Sequence, residues 1–216
     1  MIRRTVLLLC TVLLTAFTVH ADMMEFGSDL TSESNSVSGS NVYINPIWAW
    51  ADPLPHGRWI SYADTGWPGA VSPSNAAING TPTASFFEQL PGGTYMVSLD
   101  VFADDTAAVY LLDATNPSGT LLKAASWVLG NYCAAEPIGC LGTMGWQSAF
   151  AVNPAGNSEL RFDVYQLGGG PFGLMYEGTA YTLPEPAVPE PASFLLLGTG
   201  LIILGGVRKV WTRTRN

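Results

Sequence analysis

The sequence predicts an all-β fold, an antiparallel β-sandwich of the jelly-roll kind, and three observations predict it. Across residues 41–183, apolar residues recur at every second position in short runs, the period of a strand with one buried face. Gly-, Pro- and Asn-rich clusters separate those runs. No internal stretch keeps a helical period. A chain of 216 residues has room for one such domain plus appendages.

The first appendage is residues 1–21, MIRRTVLLLCTVLLTAFTVHA, with Arg3 and Arg4 ahead of an apolar stretch and small residues at Val19 and Ala21. That order is a signal-peptide helix cleaved between Ala21 and Asp22. A lipoprotein reading fails because Leu9 stands before Cys10, where a small residue is required. Residues 22–40 are polar and aperiodic and read as an N-terminal arm or weak edge strand. Residues 41–183 are the predicted sandwich.

The next stretch, residues 43–68, is loop-rich and crowded with Trp48, Trp50, Trp59, Trp67, Tyr43 and Tyr62. Exposed indoles stack on sugar rings, so these four tryptophans are candidate carbohydrate contacts. The plainer role for most is to close the end of the sandwich, because each large aromatic buries about 150–250 Å². Trp48 and Trp50, two apart, would share one face if the segment is extended. His56, in LPHGRW, is the only histidine of residues 22–186, and no Gly-x-Ser-x-Gly motif accompanies it.

Strands follow. TYMVSLDVFA places Tyr95, Val97, Leu99 and Val101 on one face and Met96, Ser98, Asp100 and Phe102 on the other. AAVYLL, TLLKAASWVL and QSAFAV come next. ELRFDVYQL sends Leu160, Phe162 and Val164 inward and Arg161, Asp163 and Tyr165 outward, and GLMYEGTAYTL ends the set. Asp104 and Asp105 close the first of these strands. Adjacent carboxylates with loop carbonyls can hold calcium, the one cofactor the sequence brings into view, but no EF-hand spacing or repeated calcium motif supports it, and carboxylates that cap nearby turns are the plainer reading. QLGGGPFG lacks the Gly-Lys-Ser/Thr ending of a phosphate loop and reads as a turn.

Three cysteines occur, and Cys10 lies in the signal peptide, leaving Cys133 and Cys140 in NYCAAEPIGCLG. A zinc site would need two further soft or imidazole ligands, whereas a local disulfide suits an exported domain. The charge is lopsided: residues 22–186 carry three basic against sixteen acidic residues, a net −13. Such a surface repels phosphates, which excludes nucleic acid as a partner. Calcium or a neutral polysaccharide would suit it. A hydrolase built on two carboxylates needs only their separation in space; nothing selects a pair, so the expectation is that the protein is not an enzyme.

The chain ends with a Pro-rich stalk at 184–191, an apolar segment at 192–211 and a basic tail at 212–216. The apolar core, 192–207, reaches about 24 Å as a helix, against a hydrocarbon layer of about 30 Å. It is expected to be a single transmembrane helix aided by Val210, Trp211 and snorkelling Arg208 and Lys209. Arg208, Lys209, Arg213 and Arg215 stay cytoplasmic by the positive-inside rule. Pro189-Glu190-Pro191, the following ASFLLLGTGL and the basic end resemble the PEP-CTERM sorting signal of Gram-negative bacteria. The resemblance implies export, transient anchoring in the inner membrane, and processing near the motif by exosortase after signal peptidase has acted. It also implies delivery to the cell surface or matrix, with exopolysaccharide and biofilm as the associated setting.

A second resemblance covers residues 59–182. WISYADTG, VFADDTAAVYLLD, the cysteine pair with PIGC, and NSELRFDVYQLGGGPFGLMYEGTAYT are similar to the galactose-binding-like sandwiches found upstream of such tails. Members carry an Asn-Gly turn after the ADDTA strand. Leu112-Asp113-Ala114-Thr115 stands there in this chain, which weakens any transfer of a loop function.

Overall fold

The computed structural model describes residues 22–29, 34–78, 80–90, 93–126, 133, 138–152 and 158–182, all within one compact unit, Ala21–Leu183. The signal peptide, the stalk with Pro189, Glu190 and Pro191, the apolar segment and the charges Arg208, Lys209, Arg213 and Arg215 lie outside the described residues. Among the described residues no helix is long and apolar enough to cross a membrane.

Eleven strands are described: β1 (Met23–Gly27), β2 (Ser34–Asn35), β3 (Val42–Tyr43), β4 (Ile60–Ser61), β5 (Ala84–Leu90), β6 (Tyr95–Asp104), β7 (Thr106–Asp113), β8 (Thr120–Lys123), β9 (Trp146–Val152), β10 (Ser158–Tyr165) and β11 (Gly173–Thr182). One sheet runs β3-β4-β11-β6-β9, with β1 also on β11, and the other runs β2-β5-β10-β7-β8. Every pairing is antiparallel. The all-β sandwich is therefore as expected. The chain passes from the first sheet to the second at Asp105, between β6 and β7, over a cis Asp104–Asp105 peptide bond.

Register explains the core. On β6 the inward set Val97, Leu99, Val101 and Ala103 is essentially fully buried, opposite Leu174, Tyr176 and Ala180 of β11. From the second sheet come Phe86, Val109, Leu160, Phe162 and Val164. Phe162 stacks on Tyr176, with ring centroids 4.4 Å apart, and so ties one sheet to the other. Burying a side chain of this size contributes about 1.5–3 kcal/mol.

Three expectations are corrected here: where the sandwich starts, how far β8 runs, and the exposure of Asp163 and Tyr165. Residues 23–27 take the edge-strand alternative: β1 pairs along half of β11, with Met24 and Phe26 turned inward. Phe26 lies over Gly178, where a Cβ would collide with its ring, so the sandwich begins well before residue 41. Strand β5 is an addition to the expected set: Ala84, Phe86, Glu88 and Leu90 are buried at every second position, a pattern masked in the sequence by the adjacent Phe87 and the inward Glu88. Of TLLKAASWVL, only Thr120–Lys123 is strand among the described residues. Asp163 and Tyr165 face outward from β10 as expected, yet both are covered, Asp163 accepting a hydrogen bond from Ser85 Oγ at 2.7 Å.

Candidate functional site

The loops of residues 44–72 close one end of the first sheet. They are anchored by backbone hydrogen bonds from Ile44 N to Trp59 O (3.0 Å), from Trp67 N to Asn45 O (2.9 Å) and from Ala51 N to Cys140 O (2.7 Å). Beneath them lies a second apolar cluster of Ile44, Trp50, Trp59, Phe102, Cys140 and Met175, on the sheet face turned away from the main core.

This arrangement divides the four tryptophans. Trp50 and Trp59 are buried, their rings packed at a tilt of 36° with centroids 4.2 Å apart, and their indole N–H groups donate to Asp104 Oδ2 (2.8 Å) and Ala51 O (3.0 Å). They are not sugar contacts. Trp48 is 98% exposed and Trp67 is 65% exposed. The expected common face of Trp48 and Trp50 fails because Trp50 N donates to Ile47 O, closing a turn that sends the two rings in opposite directions.

Asp104 and Asp105 are both buried. Asp104 accepts the Trp50 indole N–H, and Asp105 Oδ2 accepts the backbone N–H groups of Leu167 (2.6 Å) and Gly168 (3.0 Å). Burial, then the hydrogen bond with Asp105 and its charge, raise the Asp104 carboxyl well above the usual range, against the Trp50 bond. Both carboxyls are thus buried and engaged by the Trp50 indole and by the Leu167 and Gly168 backbone, whereas calcium is held by several accessible oxygens. The place of the pair is a turn cap and an indole anchor. Cys133 and Cys140 are disulfide-bonded, with Cα atoms 4.8 Å apart. One Asp104 carboxylate oxygen and the two sulfurs lie within 4.8 Å of one another.

Sequence reasoning missed a polar cavity of about 200 Å³ on the outer face of the first sheet, lined by Glu25, His56, Ser98, Asp100, Glu177 and Thr179 among others. Register builds it: Glu25 pairs with Thr179 and Thr179 with Ser98, while Glu177 pairs with Asp100 one step on along the same face. The turn Leu54-Pro55-His56-Gly57 lies over Gly27, whose missing Cβ leaves room for the His56 carbonyl. His56 N donates to Glu177 Oε2 at 3.0 Å, and its ring Nε2 lies 3.0 Å from Glu25 Oε2. Partial burial raises the Asp100 carboxyl, a hydrogen bond with Gln147 opposes this, and the Glu177 charge adds to it. The cavity is rich in acceptors for hydroxyl or ammonium protons. Its residues span more than 150 positions of sequence, so the only signal beforehand was that Ser98 and Asp100 share an outward face.

Family comparison decides what lies beyond the sandwich. Residues 187–209 match the PEP-CTERM protein-sorting motif. The PEP-CTERM tail marks an exported protein sorted at the cell envelope and processed by exosortase, as the Pro189-Glu190-Pro191 pattern implied. No curated protein sequence matches the chain. Among solved structures, the chain is similar to a family 35 carbohydrate binding module from Clostridium thermocellum, at 10% identity and a TM-score of 0.35, covering 73% of this chain and 98% of that one. It is also similar to the K1 cleaved adhesin domain of Lys-gingipain from Porphyromonas gingivalis, at 12% identity and a TM-score of 0.34, covering 76% and 91%. A third is an exo-beta-1,3-galactanase from Phanerochaete chrysosporium, at 10% identity and a TM-score of 0.34, covering 74% of this chain and 29% of that one. Likenesses of that size pass no ligand and no activity to this chain.

Proposed function

We propose that the protein is a non-catalytic component of the cell surface or extracellular matrix of a Gram-negative bacterium, delivered by its PEP-CTERM tail into an exopolysaccharide or biofilm setting. The observation that carries this reading is the sorting motif at residues 187–209 behind an acidic exported sandwich. Signal peptidase removes residues 1–21. The C-terminal segment holds the chain in the inner membrane with its basic end cytoplasmic until exosortase acts. Intact mass of the protein recovered from envelope and medium tests this. The expected species begins near Asp22 and lacks the sequence after about Pro191. A species that retains residues 192–216 makes the tail a plain anchor and overturns the sorting step.

The second reading is that the sandwich is itself a carbohydrate-binding module, and the exposure of Trp48 and Trp67 favours it. A flat indole presented to water is suited to stacking on the apolar face of a pyranose ring. The net −13 of residues 22–186 selects neutral over anionic polysaccharide by repulsion. In affinity electrophoresis through gels containing neutral polysaccharide, the Trp48→Ala, Trp67→Ala double variant is expected to lose at least about tenfold in retention, since stacked aromatics contribute roughly 1–3 kcal/mol in comparable base-stacking sites. Equal retention of variant and parent would remove these two residues from any binding role.

A further inference from the structure

The chain enters and leaves the sandwich at one end of the first sheet, and the loops that carry the exposed indoles are fixed at the other. Asp22, the first residue after the expected signal cleavage, is joined to Thr182, the last of β11. Asp22 N donates to Thr182 Oγ1 at 2.8 Å, and Thr182 N donates to Asp22 O at 3.0 Å. The stalk and the apolar segment follow Thr182 in sequence. The aromatic loops are tied to the start of the same strand. Tyr43 pairs with Ile60, and Ile60 with Leu174. Thr65 O, two residues before Trp67, accepts the Phe172 N–H at 3.0 Å. Trp50, two residues after Trp48, donates to Asp104, the register partner of Gly173. Leu174 to Thr182 spans eight residue steps of β11, about 26 Å at about 3.3 Å per residue. Between the two ends the outer face carries Glu25, Asp100 and Glu177, which repel lipid phosphates and oppose that face lying flat on an anionic bilayer. At the far end the Tyr43 ring is already engaged, its hydroxyl donating to Asp29 O at 2.8 Å and Arg58 lying over its face. The rings most open to water there are those of Trp48 and Trp67.

We propose that the sandwich is a polymer-binding head that works while its tail still holds it, the Trp48 and Trp67 end taking a neutral polysaccharide chain as the Thr182 end stays tethered to the membrane. This inference rests on the second reading above and adds that the two attachments do not compete. Before exosortase acts, the protein joins polymer to the inner membrane. After it acts, the polymer carries the protein away. Binding therefore precedes release, and removal of the tail frees a protein that is already loaded.

The test uses the full chain in two forms, dissolved in detergent and reconstituted in dye-labelled phosphatidylcholine vesicles. Each is mixed with insoluble cellulose, β-1,3-glucan or agarose beads and sedimented at low speed. Protease accessibility identifies the vesicles that carry the sandwich outside. A polymer that pulls down the dissolved chain is expected to pull down vesicle dye as well. The dye captured should exceed that of vesicles bearing the Trp48→Ala, Trp67→Ala variant at least about tenfold, since many copies per vesicle add their attachments. Both substitutions are at exposed positions, so the variant is expected to fold. A polymer that takes the dissolved chain but leaves the dye in the supernatant overturns the inference and leaves the second reading standing. Equal dye capture by variant and parent overturns it too, because the contact then lies elsewhere. Capture of neither form by any of the three polymers removes the second reading and this inference with it.

Discussion

Replacing Glu88 by glutamine is expected to stabilise the sandwich at pH 8 and to leave it almost unchanged at pH 4. Glu88 is on the core face of β5, 4% exposed, and its carboxylate accepts the Tyr176 hydroxyl at 2.9 Å. Burial pushes its carboxyl up from 4.5 to about 7, while the Tyr176 hydrogen bond pulls the other way and loses. Below pH 4.5 both the folded and the unfolded chain hold this proton, and the carboxyl is neutral with respect to folding. Between 4.5 and about 7 the unfolded chain releases the proton and the folded chain keeps it, so stability falls as pH rises. Above 7 the full penalty remains, about 3 kcal/mol. Glutamine has no charge to bury and still accepts from Tyr176. Urea unfolding of both proteins at several values from pH 4 to pH 8 checks this. The two midpoints should separate progressively across that window, and parallel curves would mean that Glu88 does not titrate in the fold. Asp104, raised in the same direction, makes the parent protein more acid-tolerant still.

Phe162→Ala is expected to cost about 3–5 kcal/mol, a large share of the 5–15 kcal/mol that domains of this size have to lose. Phe162 is fully buried on β10 and its ring stacks on Tyr176 of the opposite sheet at 4.4 Å and 24°. Truncation removes the transfer energy of the ring, leaves a cavity that two hydrogen-bonded sheets cannot close, and forfeits roughly 0.5–1.5 kcal/mol of ring pairing. It also loosens Tyr176, the donor that Glu88 depends on. The two substitutions are therefore coupled: measured at pH 8, the double variant should depart from the sum of the single effects, since both act through Tyr176. Chemical unfolding that gave Phe162→Ala a cost below about 1 kcal/mol would show that the sheets are not joined at this point.

Much was legible in the sequence because it rests on local periodicity or on contiguous signals. The alternation of Tyr95 to Phe102 and of Leu160 to Val164 assigned faces that the registers of β6 and β10 reproduce. The PEP-CTERM tail is read from consecutive residues, and Cys133 and Cys140 had no other partner outside the signal peptide. Where local rules mislead, a distant residue supplies the missing reason. Met23–Gly27 looks polar and aperiodic until β11 gives Phe26 a place over Gly178. Glu88 breaks the apolar pattern of β5 because Tyr176, 88 positions away, is there to meet it.

What the amino-acid sequence determined by itself was the export and sorting program, the all-β class and the acidity, since each is a property of neighbouring residues or of composition. Tertiary structure alone decided the chemistry of individual side chains. It buried Trp50 and Trp59 and left Trp48 and Trp67 in water, with a turn at Ile47–Trp50 separating Trp48 from Trp50. It buried Asp104 under the Trp50 indole beside the Cys133–Cys140 disulfide, and it assembled Glu25, His56, Asp100 and Glu177 on one face. Solvation and charge proximity set what a carboxyl group or an indole can do, and both depend on what the rest of the chain brings near, at separations in sequence that no local pattern records.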